Sequence, residues 1–115
     1  METNFLNNWT TQIRKGLLEL CILNALRHER LYGFDIVRRL RDIRGLVISE
    51  GTIYPLLSRL RRDGFVRTKL KESKEGPARK YYELTPKGQK ILNEMNSYWR
   101  DIKTGADILS KEETL

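Results

Sequence analysis

Residues 49–84 read SEGTIYPLLSRLRRDGFVRTKLKESKEGPARKYYEL, and this stretch decides the fold. Its first third carries apolar side chains at the i, i+3, i+4 and i+7 spacing of a helix with one apolar stripe. These side chains belong to Ile53, Leu56, Leu57 and Leu60. Ser49 is a favoured helix cap, predicted to bond a free N–H near Thr52. Asp63-Gly64 is predicted to end the helix.

A strand, a turn and a second strand are predicted after this helix. Residues 65–70 read as a strand, residues 71–78 as a polar turn and residues 79–84 as a returning strand. A helix followed by a two-stranded basic hairpin is the layout of a winged helix, which reads DNA. The helix face opposite the apolar stripe is small and polar near its start and cationic towards its end. That face carries Gly51, Thr52, Pro55, Ser58, Arg59 and Arg62.

Length and composition restrict the class of protein. The chain has 115 residues, with 39% hydrophobic and 32% charged residues, as expected for one globular domain. No apolar run approaches the ~20 residues of a membrane span. The first residues show no basic segment followed by an apolar one, so no secretory signal is predicted. With one cysteine, Cys21, no internal disulfide is possible. A cytoplasmic protein is the simplest expectation.

Positive charge is concentrated in one part of the chain. Residues 27–80 hold 15 Lys and Arg against 7 Asp and Glu, a net of +8, whereas the remainder has a net of −1 and the whole chain +7. Charge present only for solubility would not separate in this way. A polyanionic partner is indicated, and nucleic acid is the first candidate.

Two helices are predicted before the recognition region. Residues 1–8 are predicted to be loose, and the segment from Trp9 to about Arg27 is apolar on more than one helical face. Residues 31–40 are predicted to form the second helix, and basic residues are concentrated near its far end. Its inward side chains are predicted to be Phe34, Ile36, Val37 and Leu40. Residues 45–48 link it to the recognition helix and are a candidate short strand beside the wing.

A long last helix is predicted to begin at Thr85-Pro86, because Thr is a favoured cap and Pro suits the first helical position. Its apolar side chains repeat at spacings near three and four, like the seam of a paired helix. At about 25 residues it would be roughly 37 Å long, longer than the small winged body can cover. We therefore expect a homodimer. The predicted interface comprises Leu17, Leu20, Ile91, Met95, Tyr98, Trp99, Ile102, Ala106 and Leu109.

Three blocks of the sequence resemble the PadR family of bacterial transcriptional regulators. They are LYGFDI at residues 31–36, SEGTIYPLLSRL at residues 49–60 and GPARKYYELT at residues 76–85. The resemblance covers roughly residues 14–109 and is closest to the shorter branch, which has a single C-terminal helix. It implies a mainly α fold with a small β wing, a winged helix-turn-helix over residues 9–84 with an added C-terminal dimerisation helix over residues 85–110. It also implies repression, and dimers in which this last helix packs on the partner's first helix.

DNA binding is expected to use the recognition helix in the major groove and the wing on the backbone. Phosphate neutralisation is expected from cations of the wing and the second helix. The predicted DNA-binding residues are Arg38, Arg39, Ser49, Gly51, Thr52, Tyr54, Pro55, Ser58, Arg59, Arg62, Arg79 and Lys80.

A small aromatic or amphipathic effector is the family's usual signal. In the multidrug-binding branch a Trp of the last helix lines a flat pocket between subunits, and Trp99 stands at the matching distance after Gly88. The candidate effector residues are Trp9, Ile13, Met95, Trp99 and Ile102. The alternative for these residues is plain dimer core, since aromatic and Met side chains at helical spacing usually just pack.

Other function classes have less support. A protein-binding adaptor on the same fold is the main alternative, and an effector-free DNA-binding protein is a third. His28 and Cys21 alone make no metal site, so no metal and no cofactor are predicted. No set of side chains suited to catalysis occurs at usable spacing, so an enzyme is not expected.

Overall fold

The computed structural model describes residues 2–111, which form four helices and one small sheet. The elements in order are α1 (Glu2–Ala25), β1 (Leu31–Tyr32), α2 (Gly33–Arg41), α3 (Glu50–Arg62), β2 (Val66–Ser73), β3 (Gly76–Leu84) and α4 (Pro86–Lys111). The sheet is antiparallel with strand order β1-β3-β2. The predicted fold class, mainly helical with a β wing, is confirmed.

The core forms where all the helices meet the base of the wing. Side chains that are at most 1% exposed come from α1, α2, α3 and α4 alike. Among them are Leu23, Ile36, Ile53, Leu57 and Leu92. The apolar stripe of α3 faces this core as predicted, with Leu56 half-buried at its edge. Burying one face of α3 leaves the opposite face for solvent.

Gly64, Thr85 and Pro86 determine the local structure where the wing joins α4. Gly64 ends α3 at a φ of +83°, a left-handed conformation that favours glycine. The Thr85 hydroxyl accepts a hydrogen bond of 3.0 Å from the Gly88 N–H and donates one of 2.6 Å to the Gly64 carbonyl. Pro86 occupies the first position of α4. The predicted cap at Thr85 is confirmed.

Four local predictions are wrong. Residues 2–8, expected to be loose, form the first turns of α1. Leu31 and Tyr32 belong to a strand and not to α2, and it is this strand, not residues 45–48, that pairs beside the wing. The wing turn is confined to residues 74–75, because the strands continue through most of residues 71–78. Each error concerns a segment whose structure depends on pairing or packing elsewhere in the chain.

Phe34 also differs from its prediction. It is 54% exposed and does not enter the core, whereas Ile36, Val37 and Leu40 do. The cause is that α2 begins only at Gly33, so Phe34 lies in the first turn, beyond the buried side of the short helix. Its ring borders the space between α2 and the wing.

α1 and α4 are in contact, and one polar pair joins them. The side-chain amides of Asn24 and Asn96 exchange two hydrogen bonds, each 2.9 Å long, in a partly buried setting. A Cβ on Gly88 would lie 1.9 Å from the Phe65 carbonyl oxygen, so glycine lets α4 pack directly on the backbone after α3. No helix in residues 2–111 has the length and apolar character required to cross a membrane.

Candidate nucleic-acid interface

The outer face of α3 is exposed over its whole length. Gly51, Thr52, Pro55, Ser58 and Arg62 all lie on it, and the helix runs without interruption through Pro55. A Cβ on Gly51 would meet only the Ser49 hydroxyl oxygen, at 3.9 Å, so the start of α3 is open to close approach. This face can offer small polar groups and a cation to a partner.

Ser49 stands at the cap position of α3, but its hydroxyl does not bond a backbone N–H. Instead it lies 3.0 Å from the hydroxyl oxygen of Thr52, and the Ser49 carbonyl accepts the N–H groups of Thr52 and Ile53. The predicted capping bond is therefore wrong. The two hydroxyls form a polar pair at the exposed start of the helix.

Tyr54 lies between solvent and the protein body. It is 38% exposed, and its ring covers Gly33 so closely that a Cβ there would lie 2.8 Å from the Tyr54 Cε1 atom. Tyr54 therefore locks α3 against the start of α2. Sequence reasoning predicted only a DNA contact for this residue.

Three of the arginines that were predicted to contact DNA form ion pairs with carboxylates of the protein itself. Arg59 of α3 pairs with Glu19 of α1, and Arg39 of α2 pairs with Glu29. Arg38 lies 3.8 Å from Asp35, one turn earlier in α2, with its side chain 66% exposed. Such exposed pairs contribute little to stability, so exchanging the carboxylate for a phosphate would cost little.

Arg79 and Lys80, predicted as a pair, lie on opposite faces of the wing. Alternation along a strand directs successive side chains to opposite sides. In the observed register Arg79 is opposite Lys71, whereas Lys80 is opposite Leu70, which is 71% exposed. The sequence shows the two cations as neighbours, but the strand separates them.

A carboxylate at the base of the wing joins two cations across the strands. Glu83 accepts a 2.7 Å hydrogen bond from Arg67 and lies 3.3 Å from the Lys69 ammonium. The hydrogen bond from Arg67 lowers the pKa of Glu83. The lowered pKa favours the ionised form of Glu83, and the pairs join β2 to β3.

An aromatic stack lies on the same face as Arg79. The rings of Tyr32 and Tyr81, opposite each other on β1 and β3, are 4.0 Å apart and inclined by 19°. Interaction between the two hydroxyls raises the pKa of Tyr32 and lowers that of Tyr81. The Arg79 guanidinium lies 5.2 Å from the Tyr32 ring and that of Arg30 lies 4.8 Å from the Tyr81 ring. Tyr82, the next residue along β3, faces inward and is 8% exposed.

Sequence reasoning missed Tyr32 and Arg30. Arg30 and Tyr32 are two positions apart in the sequence, and so are Arg79 and Tyr81. This spacing places all four side chains on one face of the sheet when β1 pairs with β3. A groove of about 530 Å³ opens beside the stack, between the first turn of α2 and the wing. It is lined by Tyr32, Gly33, Phe34, Asp35, Arg38, Arg79 and Lys80.

The predicted effector residues line two apolar grooves along α1. One, of about 450 Å³, lies between α1 and α4, and the other, of about 340 Å³, lies between α1 and the loop after α2. Half-buried Trp99 borders both grooves. Ile13 and Leu17 also border both, whereas Met95 and Ile102 line only the first and Trp9 only the second.

The predicted interface residues are buried, half-buried or exposed. Leu20 is 6% exposed and belongs to the chain's own core, so it offers little surface to a partner. Leu17, Ile91 and Met95 are half-buried. Beyond them the outer part of α4 presents Tyr98, Ile102 and Leu109, at 71%, 51% and 72% exposure, together with exposed Ala106.

The remaining polar candidates form no site. His28 is exposed, and Cys21 is half-buried with the pKa of its thiol raised by burial. Across the described residues, no three His, Cys, Asp or Glu side chains lie close enough together to hold a metal ion.

Comparison with known proteins assigns this architecture to a family. The model of the Transcriptional regulator PadR-like family matches residues 22–94. A PadR-like transcription factor from Bacteroides fragilis is 41% identical, with a TM-score of 0.74 over 89% of this chain and 98% of that one. A PadR-like transcriptional regulator from Bacillus cereus is 38% identical, with a TM-score of 0.81 over 89% and 99%. A PadR family regulator from Eggerthella lenta is 28% identical, with a TM-score of 0.79 over 97% of each chain. The matches reach from the buried half of α1 through the recognition helix and the wing into α4, and the chain therefore belongs to the PadR-like family of transcriptional regulators, proteins that bind DNA through a winged helix.

Proposed function

We propose that the protein is a sequence-specific repressor that binds its operator as a homodimer and leaves it when a small aromatic or amphipathic effector binds. The observation that carries the DNA-binding part is the exposed outer face of α3 beside a cationic wing. Small and polar groups at the start of α3 suit base edges, and Arg62 at its end suits a phosphate. Such a protein would work in the cytoplasm, where its operator is.

The paired cations fit this function. Arg38, Arg39 and Arg59 hold carboxylates on the protein surface, and each can exchange its carboxylate for a DNA phosphate at little cost. Each phosphate contact also releases counterions from the duplex, which makes binding depend steeply on salt. Sequence-independent affinity would come from these cations and the wing, and sequence preference from the start of α3.

The wing can be tested by removing Arg79 and Lys80, one cation from each of its faces. We expect the double substitution Arg79→Ala with Lys80→Ala to weaken DNA binding, because two phosphate contacts are lost from each wing. The slope of log affinity against log salt should fall by about 0.9 for each lost contact. Fluorescence anisotropy with the duplex upstream of the protein's own gene measures both quantities.

A matched control removes the same charge from α4. Arg100→Ala with Lys103→Ala lowers the net charge equally, on exposed positions away from the wing. We expect it to leave the slope nearly unchanged. A wing variant with an unaltered slope, or a control variant with the same loss, would exclude the wing from the interface.

The dimer is supported by the unpartnered apolar surface of α1 and α4. Phe5, Leu6 and Trp9 on α1 are 74%, 56% and 51% exposed, and Ile108 and Leu109 on α4 are similarly open at 55% and 72%. Apolar surface of this extent on two projecting helices is typical of an association surface. A second copy would offer the complementary helix, as the family resemblance implies.

The effector proposal depends on Trp99, which borders both grooves along α1. We expect planar aromatic compounds that bind there to quench its fluorescence. Quenching should disappear in Trp99→Leu and persist in Trp9→Leu, because Trp9 borders only the groove beside the loop after α2. Quenching that persists in Trp99→Leu would contradict an effector site at this residue.

Two alternatives make different predictions. An effector-free regulator would bind the same DNA but show no quenching with any compound. A protein-binding adaptor would bind no duplex at low salt. The concentration of positive charge in residues 27–80 favours DNA over a protein partner.

A further inference from the structure

We propose that Tyr32 and Tyr81 are positioning residues that hold Arg79 ready for a DNA phosphate in the groove between α2 and the wing. The proposal rests on the DNA-binding function proposed above. It assigns a role to two side chains outside the set of predicted contacts.

Four side chains form one ladder on the outer face of the sheet. Arg30, Tyr81, Tyr32 and Arg79 follow one another in that order, with the two rings stacked in the middle. The Lys71 ammonium adds a further cation 5.9 Å from the Tyr81 ring. Three cations therefore surround one aromatic pair, and each approaches a ring face, the electron-rich side of an aromatic group.

A stacked guanidinium is well suited to binding phosphate. A long arginine on an exposed strand would otherwise sample many rotamers, and ordering it on binding would reduce affinity. Stacking restrains the guanidinium plane before DNA arrives, while the N–H groups at its edge remain directed away from the ring. Arg59 and Arg39, by contrast, are held by carboxylates that compete with phosphate for the same N–H groups.

The ladder also lies where DNA would pass. Arg79 and Tyr32 line the groove between α2 and the wing, and Gly33, the next residue, is covered by Tyr54 of α3. The surface is thus continuous from the recognition helix to the wing. A duplex with α3 in its major groove would bring its backbone across this groove.

A double-mutant cycle tests whether Tyr32 acts through Arg79. The variants are Tyr32→Leu, Arg79→Ala and the two combined, all in the full-length protein. The probe is a fluorescein-labelled duplex of mixed sequence, titrated by anisotropy at several salt concentrations. Tyr32 provides no side-chain cap for α2, so its substitution removes no capping hydrogen bond from that helix. Thermal unfolding of each variant checks the fold.

We expect Tyr32→Leu to weaken binding about threefold in the wild-type background, the factor an exposed cation–π contact supplies. In the Arg79→Ala background the same substitution should have almost no effect. Tyr32→Phe is the matched control, because it keeps the ring, and it should bind like the wild type. Equal loss from Tyr32→Leu in both backgrounds would overturn the proposal, as would equal binding by Tyr32→Leu and the wild type.

A further variant covers the case in which Tyr32→Leu does not fold. Arg79→Lys keeps the charge but loses the planar group that stacks, and we expect it to bind about threefold more weakly than the wild type. Wild-type affinity in Arg79→Lys would then overturn the proposal. Failure of the wild type to bind duplex at low salt would instead refute the DNA-binding function itself, so the two failures are distinguishable.

Discussion

Gly33 shows how one residue fixes the position of the recognition helix. It begins α2, and the absence of a side chain allows the Tyr54 ring to lie directly on its backbone. Both residues stand in family-like blocks of the sequence, but no local pattern connects them, because 20 residues, including most of α2 and a loop, lie between them. Tyr54 therefore appeared only as a candidate DNA contact, and its packing role required the fold.

Adding one methyl group at Gly33 tests this contact. We expect Gly33→Ala to lower the free energy of unfolding by about 1–3 kcal/mol, because its Cβ would overlap the Tyr54 ring. Gly51→Ala is the control: it adds the same methyl group to open space at the start of α3 and should leave stability unchanged or slightly higher. Urea unfolding at fixed protein concentration measures both. A Gly33→Ala protein as stable as the wild type would show that the Tyr54 ring can move aside.

At the scale of elements, long periodic segments were predictable and short pairing-dependent ones were not. α1, α3 and α4 each have an apolar face. Asp63-Gly64 correctly predicted the end of α3, and Thr85-Pro86 correctly predicted the start of α4. β1 has only two residues, and its extended form depends on pairing with Tyr81 and Tyr82. No local pattern distinguishes such a strand from the first turn of the helix that follows it.

Asn24 and Asn96 determine how α1 and α4 are held together. We expect Asn24→Ala to lower the free energy of unfolding by about 1–3 kcal/mol, since it leaves the partly buried amide of Asn96 without its partner. Asn24→Ala with Asn96→Ala should cost less than the sum of the single variants, because no unpaired amide remains. The measurement is urea unfolding at one protomer concentration.

Asn93→Ala is the control for this pair. Asn93 accepts a hydrogen bond from Gln89 on the exposed side of α4, one turn earlier. Its loss should change stability by less than about 0.5 kcal/mol. Strictly additive effects of Asn24→Ala and Asn96→Ala would show that the two amides act independently.

At the scale of the whole molecule, charge distribution predicted the kind of partner better than any single residue did. The net charge of +8 in residues 27–80 indicated a polyanion, and the family assignment agrees with that interpretation. Individual contacts were less predictable, because strand alternation separates Arg79 from Lys80 and carboxylates hold Arg39 and Arg59. The predicted dimer interface and effector site remain predictions, supported by the apolar surface of α1 and α4.

Hydroxyl-radical footprinting on the duplex upstream of the protein's own gene tests the central claim, that two copies present two recognition helices to one operator. We predict two protected segments related by a pseudo-palindrome and separated by about one helical turn, 34–36 Å, or a whole multiple of it. A single protected segment would contradict the dimer. The absence of protection at low salt would contradict DNA recognition by α3 and the wing.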